Sequence, residues 1–155
     1  MVFEMYITTH TPMVGVSDID TVAITFLHQI GYLPKGYDPK TNVENVKQSV
    51  PYRLFLNCFL KNPEKAWSID QLITVLSTSR PTVYRHLNKL KALDLLEESD
   101  VESRSRRVKC YRIRYGNLSK AWNFIEAHLK VSIENYRKTV DHLQSLVEKS
   151  RIREG

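Results

Sequence analysis

The sequence predicts a mainly α-helical fold with one small β-hairpin and a long C-terminal helix. Three observations predict it. Apolar residues recur every three or four positions through most of the 155-residue chain. The segment 95–115 instead carries strand signals around a polar, charged centre. Residues 118–153 contain neither glycine nor proline.

Met1 to Thr9 alternates weakly, as a short strand would. Ser17 can cap a helix whose first turn holds Asp18 and Asp20, where negative charge suits the helix dipole. Ile19, Val22, Ala23, Phe26, Leu27 and Ile30 then recur at helical spacing, and Gly31 can close the helix. Gly31 to Lys40 holds two glycines and two prolines and reads as a loop or hinge. Thr41 and Glu44 fit a capping box. Pro51 either kinks the helix that follows or starts a new one at an early position. Leu54, Phe55, Cys58, Phe59 and Leu60 continue the helical spacing until Asn62-Pro63 ends it.

Ser68 and Gln71 form a second capping box, opening a helix with Ile69, Leu72, Ile73 and Leu76 on one face. Ser77-Thr78-Ser79 is a polar turn. Ser79 can cap the next helix, with Pro81 in its first turn, where a missing N–H costs nothing. In that helix Val83, Leu87 and Leu90 share a face, while Arg85, Asn88 and Lys89 point the other way, flanked by Thr82 and Tyr84. Two short helices joined by a tight turn, the second polar and basic outside, form the helix-turn-helix pattern.

Leu95 to Glu98 reads as a strand, Ser99 to Arg106 as a charged loop, and Arg107 to Tyr115 as a second strand. Tyr111 and Ile113 are expected to face the core, leaving Arg112 and Arg114 outward. Asn117 or Ser119 can cap the last segment, an amphipathic helix of roughly 35 residues.

Charge sharpens this picture. The net charge is +6, yet residues 101–117 alone carry six basic and one acidic side chain. A local basic patch points to a polyanion better than a diffuse surplus does. No stretch approaches the ~18 apolar residues of a membrane span, and no secretory signal is visible, so a cytoplasmic location is expected. Cys58 and Cys110 lie far apart without a Cys-x-x-Cys pair, which fits a reducing compartment. Each can be a buried small hydrophobe, a redox sensor or a metal ligand; burial is the ordinary role. His10, His28, His86, His128 and His142 make no metal-ligand spacing, so no metal and no cofactor is expected. No phosphate loop, nucleophile elbow or paired carboxylates occur, and the chain is not expected to be an enzyme.

The run Ser68 to Leu90, SIDQLITVLSTSRPTVYRHLNKL, followed by Leu93 to Glu98, LDLLEE, resembles the MarR- and ArsR-like transcriptional regulators of bacteria and archaea. The close resemblance covers about residues 51–115. It implies a winged helix-turn-helix, with the hairpin as wing and the last helix similar in pattern to a dimerisation helix. Where such regulators carry a glycine after the second helix, this chain has Asp94, which tolerates a left-handed backbone. The expected organisation is an N-terminal helical extension at 1–50, a winged helix-turn-helix DNA-binding domain at 51–116 and a dimerisation helix at 117–155.

The candidate DNA-binding residues are Ser79, Arg80, Thr82, Tyr84, Arg85, Asn88 and Lys89 on the second helix, with Arg104, Arg106 and Arg107 on the wing. A helix fits the major groove, Arg bonds guanine in bidentate fashion, and Thr meets a base edge or phosphate. Wing arginines reach phosphates or an adjacent minor groove. Glu97, Glu98, Asp100 and Glu102 lie close enough in sequence to pair with them. Trp122, Ile125, Leu129, Ile133, Tyr136, Val140, Leu143 and Val147 step by threes and fours and form the candidate dimerisation face. Trp122, Phe124 and Tyr136 can instead line a pocket for a small-molecule effector, although nothing else calls for one. The expected function is sequence-specific duplex DNA binding as a homodimer that regulates transcription. The alternative is a winged-helix module that contacts another protein within a larger assembly.

Overall fold

The computed structural model describes residues 5, 11–33 and 43–154. Apart from Met5, the expected strand from Met1 to Thr9 lies outside the described residues, as do the loop residues 34–40 and the Thr41 cap. The chain divides into two compact units, residues 1–121 and 122–155.

The first unit opens with α1 (Ile19–Gln29). Its cap is Asp18, not Ser17: the Asp18 carboxylate accepts from the Thr21 N–H at 3.1 Å, three residues on, the spacing a cap requires. Gly31 closes the helix at φ 84°, as expected of a residue just past a C-cap. The short helices α2 (Val43–Gln48) and α3 (Val50–Arg53) follow, and Pro51 stands in the first turn of α3.

A π-helix, Leu54–Leu60, continues directly from α3 where the spacing predicts an α-helix. Its wider turn is closed by the Lys61 N–H on the Leu56 carbonyl, five residues back, at 2.9 Å. Leu54, Phe55 and Leu56 are consecutive and all buried, as are Cys58 and Phe59. That is a broader apolar arc than one face of an α-helix presents.

Strand β1 (Trp67–Ser68) runs into α4 (Ile69–Leu76), then α5 (Arg80–Ala92), β2 (Leu96–Ser103) and β3 (Arg106–Ile113). The sheet among the described residues is antiparallel with order β1-β3-β2. It is therefore larger than the expected hairpin by the two residues of β1, paired through Trp67 with Tyr111 and Ser68 with Cys110. The expected charged loop is almost wholly strand. Only Arg104 and Ser105 turn, both at positive φ, so each hairpin arm has eight residues. Both central residues at positive φ are what a right-twisted two-residue hairpin demands.

The second strand ends at Ile113, not Tyr115, because Tyr115 adopts φ 58° in a turn of 3₁₀-helix, Arg114–Gly116. Arg114 does not point outward as a free cation. Its Nε donates to the Asp94 carbonyl at 2.9 Å and its Nη2 to the Leu96 carbonyl at 3.2 Å. Tyr111 and Ile113 are buried as expected.

Leu27, Tyr52, Phe55, Phe59, Leu72, Leu87 and Leu90 lie in the core of this unit. Two buried aromatic residues satisfy their polar ends on backbone: Tyr32 Oη donates to the Pro51 carbonyl at 2.6 Å, and Trp67 Nε1 donates to the Cys58 carbonyl at 3.0 Å. The final helix, α6 (Leu118–Glu154), is capped by Asn117, whose Oδ1 accepts from the Lys120 N–H at 3.0 Å. Residues 122–154 of α6 form the described part of the second unit. Among the described residues no helix is long and apolar enough to cross a membrane.

Candidate nucleic-acid interface

Local hydrogen bonds fix the two helices that carry the candidate residues. Ser68 Oγ accepts from the Gln71 N–H at 3.2 Å and Gln71 Oε1 accepts from the Ser68 N–H at 3.0 Å, so the capping box that starts α4 is complete. Ser77 takes the left-handed conformation at φ 50° and ends α4. Two residues later Ser79 Oγ accepts from the Thr82 N–H at 3.3 Å and starts α5. Val83, Leu87 and Leu90 are fully buried, which fixes the rotation of α5 about its axis.

That rotation leaves Ser79, Arg80, Tyr84, Arg85, Asn88 and Lys89 exposed and Thr82 half-buried, its hydroxyl 2.8 Å from Ser79 Oγ. His86 shares the buried face with Val83 and Leu87, a position the spacing of apolar residues does not reveal. Its Nδ1 has no hydrogen-bond partner among the described residues. Burial, then the positive charges of Arg85 and Lys89, pull its pKa from 6.5 to about 4, so the ring is neutral at physiological pH.

Arg104, Arg106 and Arg107 occupy the far end of the hairpin and are exposed. The acidic residues of β2 do not neutralise them as the sequence allows. Glu97 pairs with Arg112, and Glu98 with Lys91 at 2.7 Å and Lys109 at 3.6 Å. The pairing register explains this: Glu97 stands opposite Arg112, and Glu98 opposite Tyr111 beside Lys109. The Lys91 ammonium holds the Glu98 carboxyl below its ordinary range. Among the described residues, Arg85, Lys89, Arg104, Arg106 and Arg107 form no ion pair. Their charge is available to a ligand.

Arg80 is different. Its Nη2 lies 2.5 Å from Asp70 Oδ1, across the turn between the helices. That hydrogen bond raises the Arg80 pKa further. Asp70 is absent from the sequence-derived site because ten positions separate it from Arg80 and no periodicity links them. It also lines a polar cleft of about 730 Å³ between the start of α4 and the hairpin, together with Arg104, Arg106 and Arg107.

Both thiols are buried; burial pushes Cys58 up to about 11 and Cys110 above its ordinary value, which disfavours thiolate chemistry. Among the described residues no cluster of His, Cys, Asp and Glu can hold a metal ion. On α6, Ile125 is buried, Trp122 and Leu129 are half-buried, and Ile133, Tyr136, Val140, Leu143 and Val147 are exposed. Leu146 and Ile152, also exposed, extend the same helix's apolar surface. An apolar groove of about 520 Å³ that sequence reasoning missed follows α1, walled by Val22, Phe26, Phe55 and Leu60. Those residues read in sequence as ordinary core positions.

No protein-family model matches the chain, and no curated protein matches it in sequence.

Proposed function

We propose that this chain is a winged helix-turn-helix protein that binds duplex DNA as a homodimer and regulates transcription, in the manner of the MarR- and ArsR-like regulators it resembles. In this reading α5 enters the major groove and the β2–β3 hairpin is the wing. The chain catalyses nothing and works in the cytoplasm.

One observation carries the reading. Five cations, Arg85, Lys89, Arg104, Arg106 and Arg107, are exposed and without ion-pair partners among the described residues. Elsewhere on the same elements Lys91, Lys109 and Arg112 are paired with acids. A surface meant only for solvent has no need of that segregation, whereas a polyanion contact does. The apolar face of α6 supports the dimer. From Ile133 to Ile152 it exposes seven large apolar residues if Leu146 is included, a stripe that is costly in water and that a second copy covers most simply.

Three measurements test the reading. Binding to a selected duplex should weaken linearly in log–log salt titration, by ~0.9 per phosphate contact. Arg85→Ala should cost ~1–3 kcal/mol on that duplex with the fold unchanged, the amount a base contact is worth. Sedimentation should give a dimer for the full chain and a weaker one for a chain ending after Tyr136. A parent protein that binds no duplex at low salt, or a monomer at tens of micromolar, overturns the corresponding half of the proposal.

A further inference from the structure

We infer that Asp70 is a positioning residue that holds the Arg80 guanidinium away from phosphates and so sharpens discrimination between duplexes. The inference rests on the reading of α5 as the groove-facing helix. Arg80 is the first residue of α5, and residues at the start of such a helix are those that meet base edges. It is also, among the described residues, the one of the six candidate cations whose charge is matched by an acid, Asp70, at 2.5 Å. The side chains are 55% and 80% exposed, so attraction rather than burial holds the pair.

A carboxylate is chemically the wrong group for a surface that meets a polyanion. Asp70 nonetheless lines the same cleft as Arg104, Arg106 and Arg107. Its effect on Arg80 depends on what approaches. A phosphate must displace one anion to gain another, and meets the Asp70 charge at close range. A guanine edge is uncharged and offers two acceptors. The guanidinium has five N–H donors, enough to keep Asp70 and give two to guanine. Asp70 therefore penalises the contact that carries no sequence information and tolerates the one that does.

The test uses the full chain, a random-sequence duplex and a duplex selected by the parent protein. Asp70→Asn should bind the random duplex on the order of three- to tenfold more tightly at 50 mM salt, with a salt slope steeper by ~0.9. The ratio of selected to random affinity should fall by a similar factor. In an Arg80→Ala background the same Asp70→Asn change should leave both readouts nearly still. Equal tightening with and without Arg80 overturns the inference, because Asp70 then acts only as a repulsive charge. An unchanged Asp70→Asn protein overturns it too, while leaving the DNA reading intact if the parent binds. A parent that binds neither duplex overturns both.

Discussion

The Tyr52 hydroxyl donates to the Asp20 carboxylate at 2.5 Å and joins α3 to α1 across 32 positions of sequence. Lys47 of α2 reaches the same carboxylate at 3.3 Å, so one acid ties three helices together.

That tie makes a pH prediction. The hydrogen bond from Tyr52, then the charge of Lys47, holds the Asp20 pKa below its ordinary 3.8 against the opposing cost of burial. A depressed carboxylate contributes stability above its unfolded value and loses it as pH falls through the folded value beneath. Tyr52→Phe should lower stability by ~1.5–3 kcal/mol at neutral pH, the range for a bond to a charged group. It should also flatten the dependence on pH below about 4. Thermal melts of both proteins at several acidic pH values check this; parallel curves would mean that Tyr52 does not set the Asp20 titration.

His86 gives the second prediction, with a different window. Arg85 carries only donors, so at 3.5 Å His86 Nε2 accepts and the neutral ring keeps its hydrogen on Nδ1, unpaired among the described residues. The unfolded ring takes up a proton near 6.5 and the folded ring only at about 4. The unfolded state thus binds more protons between those values, and stability falls as pH drops through that window. His86→Leu should remove this loss and, by deleting an unsatisfied buried N–H, add ~1 kcal/mol at neutral pH. Denaturant unfolding at pH 7 and pH 5 measures both effects. A variant as acid-sensitive as the parent between these values would show that another group titrates.

The third prediction separates stability from binding at the hairpin tip. Arg104 and Ser105 sit at φ 50° and 64°, each costing ~1–2 kcal/mol relative to a residue at ease there. Asn-Gly is the pair a two-residue turn of this kind prefers. Arg104→Asn with Ser105→Gly should raise the melting temperature while reducing the DNA salt slope by up to ~0.9, because one cation is gone. A rise in both, or a fall in both, would show that the tip is not a strained contact point.

How much of this was legible depends on the range of the interaction that decides each element. The capping residues Ser68, Gln71 and Ser79 act within three positions, so both helices of the candidate site could be read from sequence. The outward face of α5 followed from Val83, Leu87 and Leu90 alone. Strand β1 could not be read, because two residues carry no period and their partners, Tyr111 and Cys110, lie more than forty positions away. The length of β2 was hidden for another reason: after Leu96 and Glu97 its residues are exposed on both sides, so no apolar alternation marks them as strand. The π-helix is set by how many consecutive side chains the core accepts, which the spacing of Leu54 to Leu60 does not encode. The partner of Arg80 was invisible on the same grounds as β1.

The strand order gives the acids of β2 a meaning apart from any ligand. Among the described strands β2 lies at the rim of the sheet, with β3 on one side only. A long, flat rim strand is a template on which another molecule's backbone can add, and proteins that avoid aggregation blunt such rims with charge. Glu97, Glu98, Asp100 and Glu102 place four carboxylates within six residues of that rim. Two copies brought together rim to rim would oppose the Asp100 and Glu102 charges of each, which form no ion pair among the described residues. The hairpin can therefore be long enough to project its arginines and still resist self-templated sheet growth.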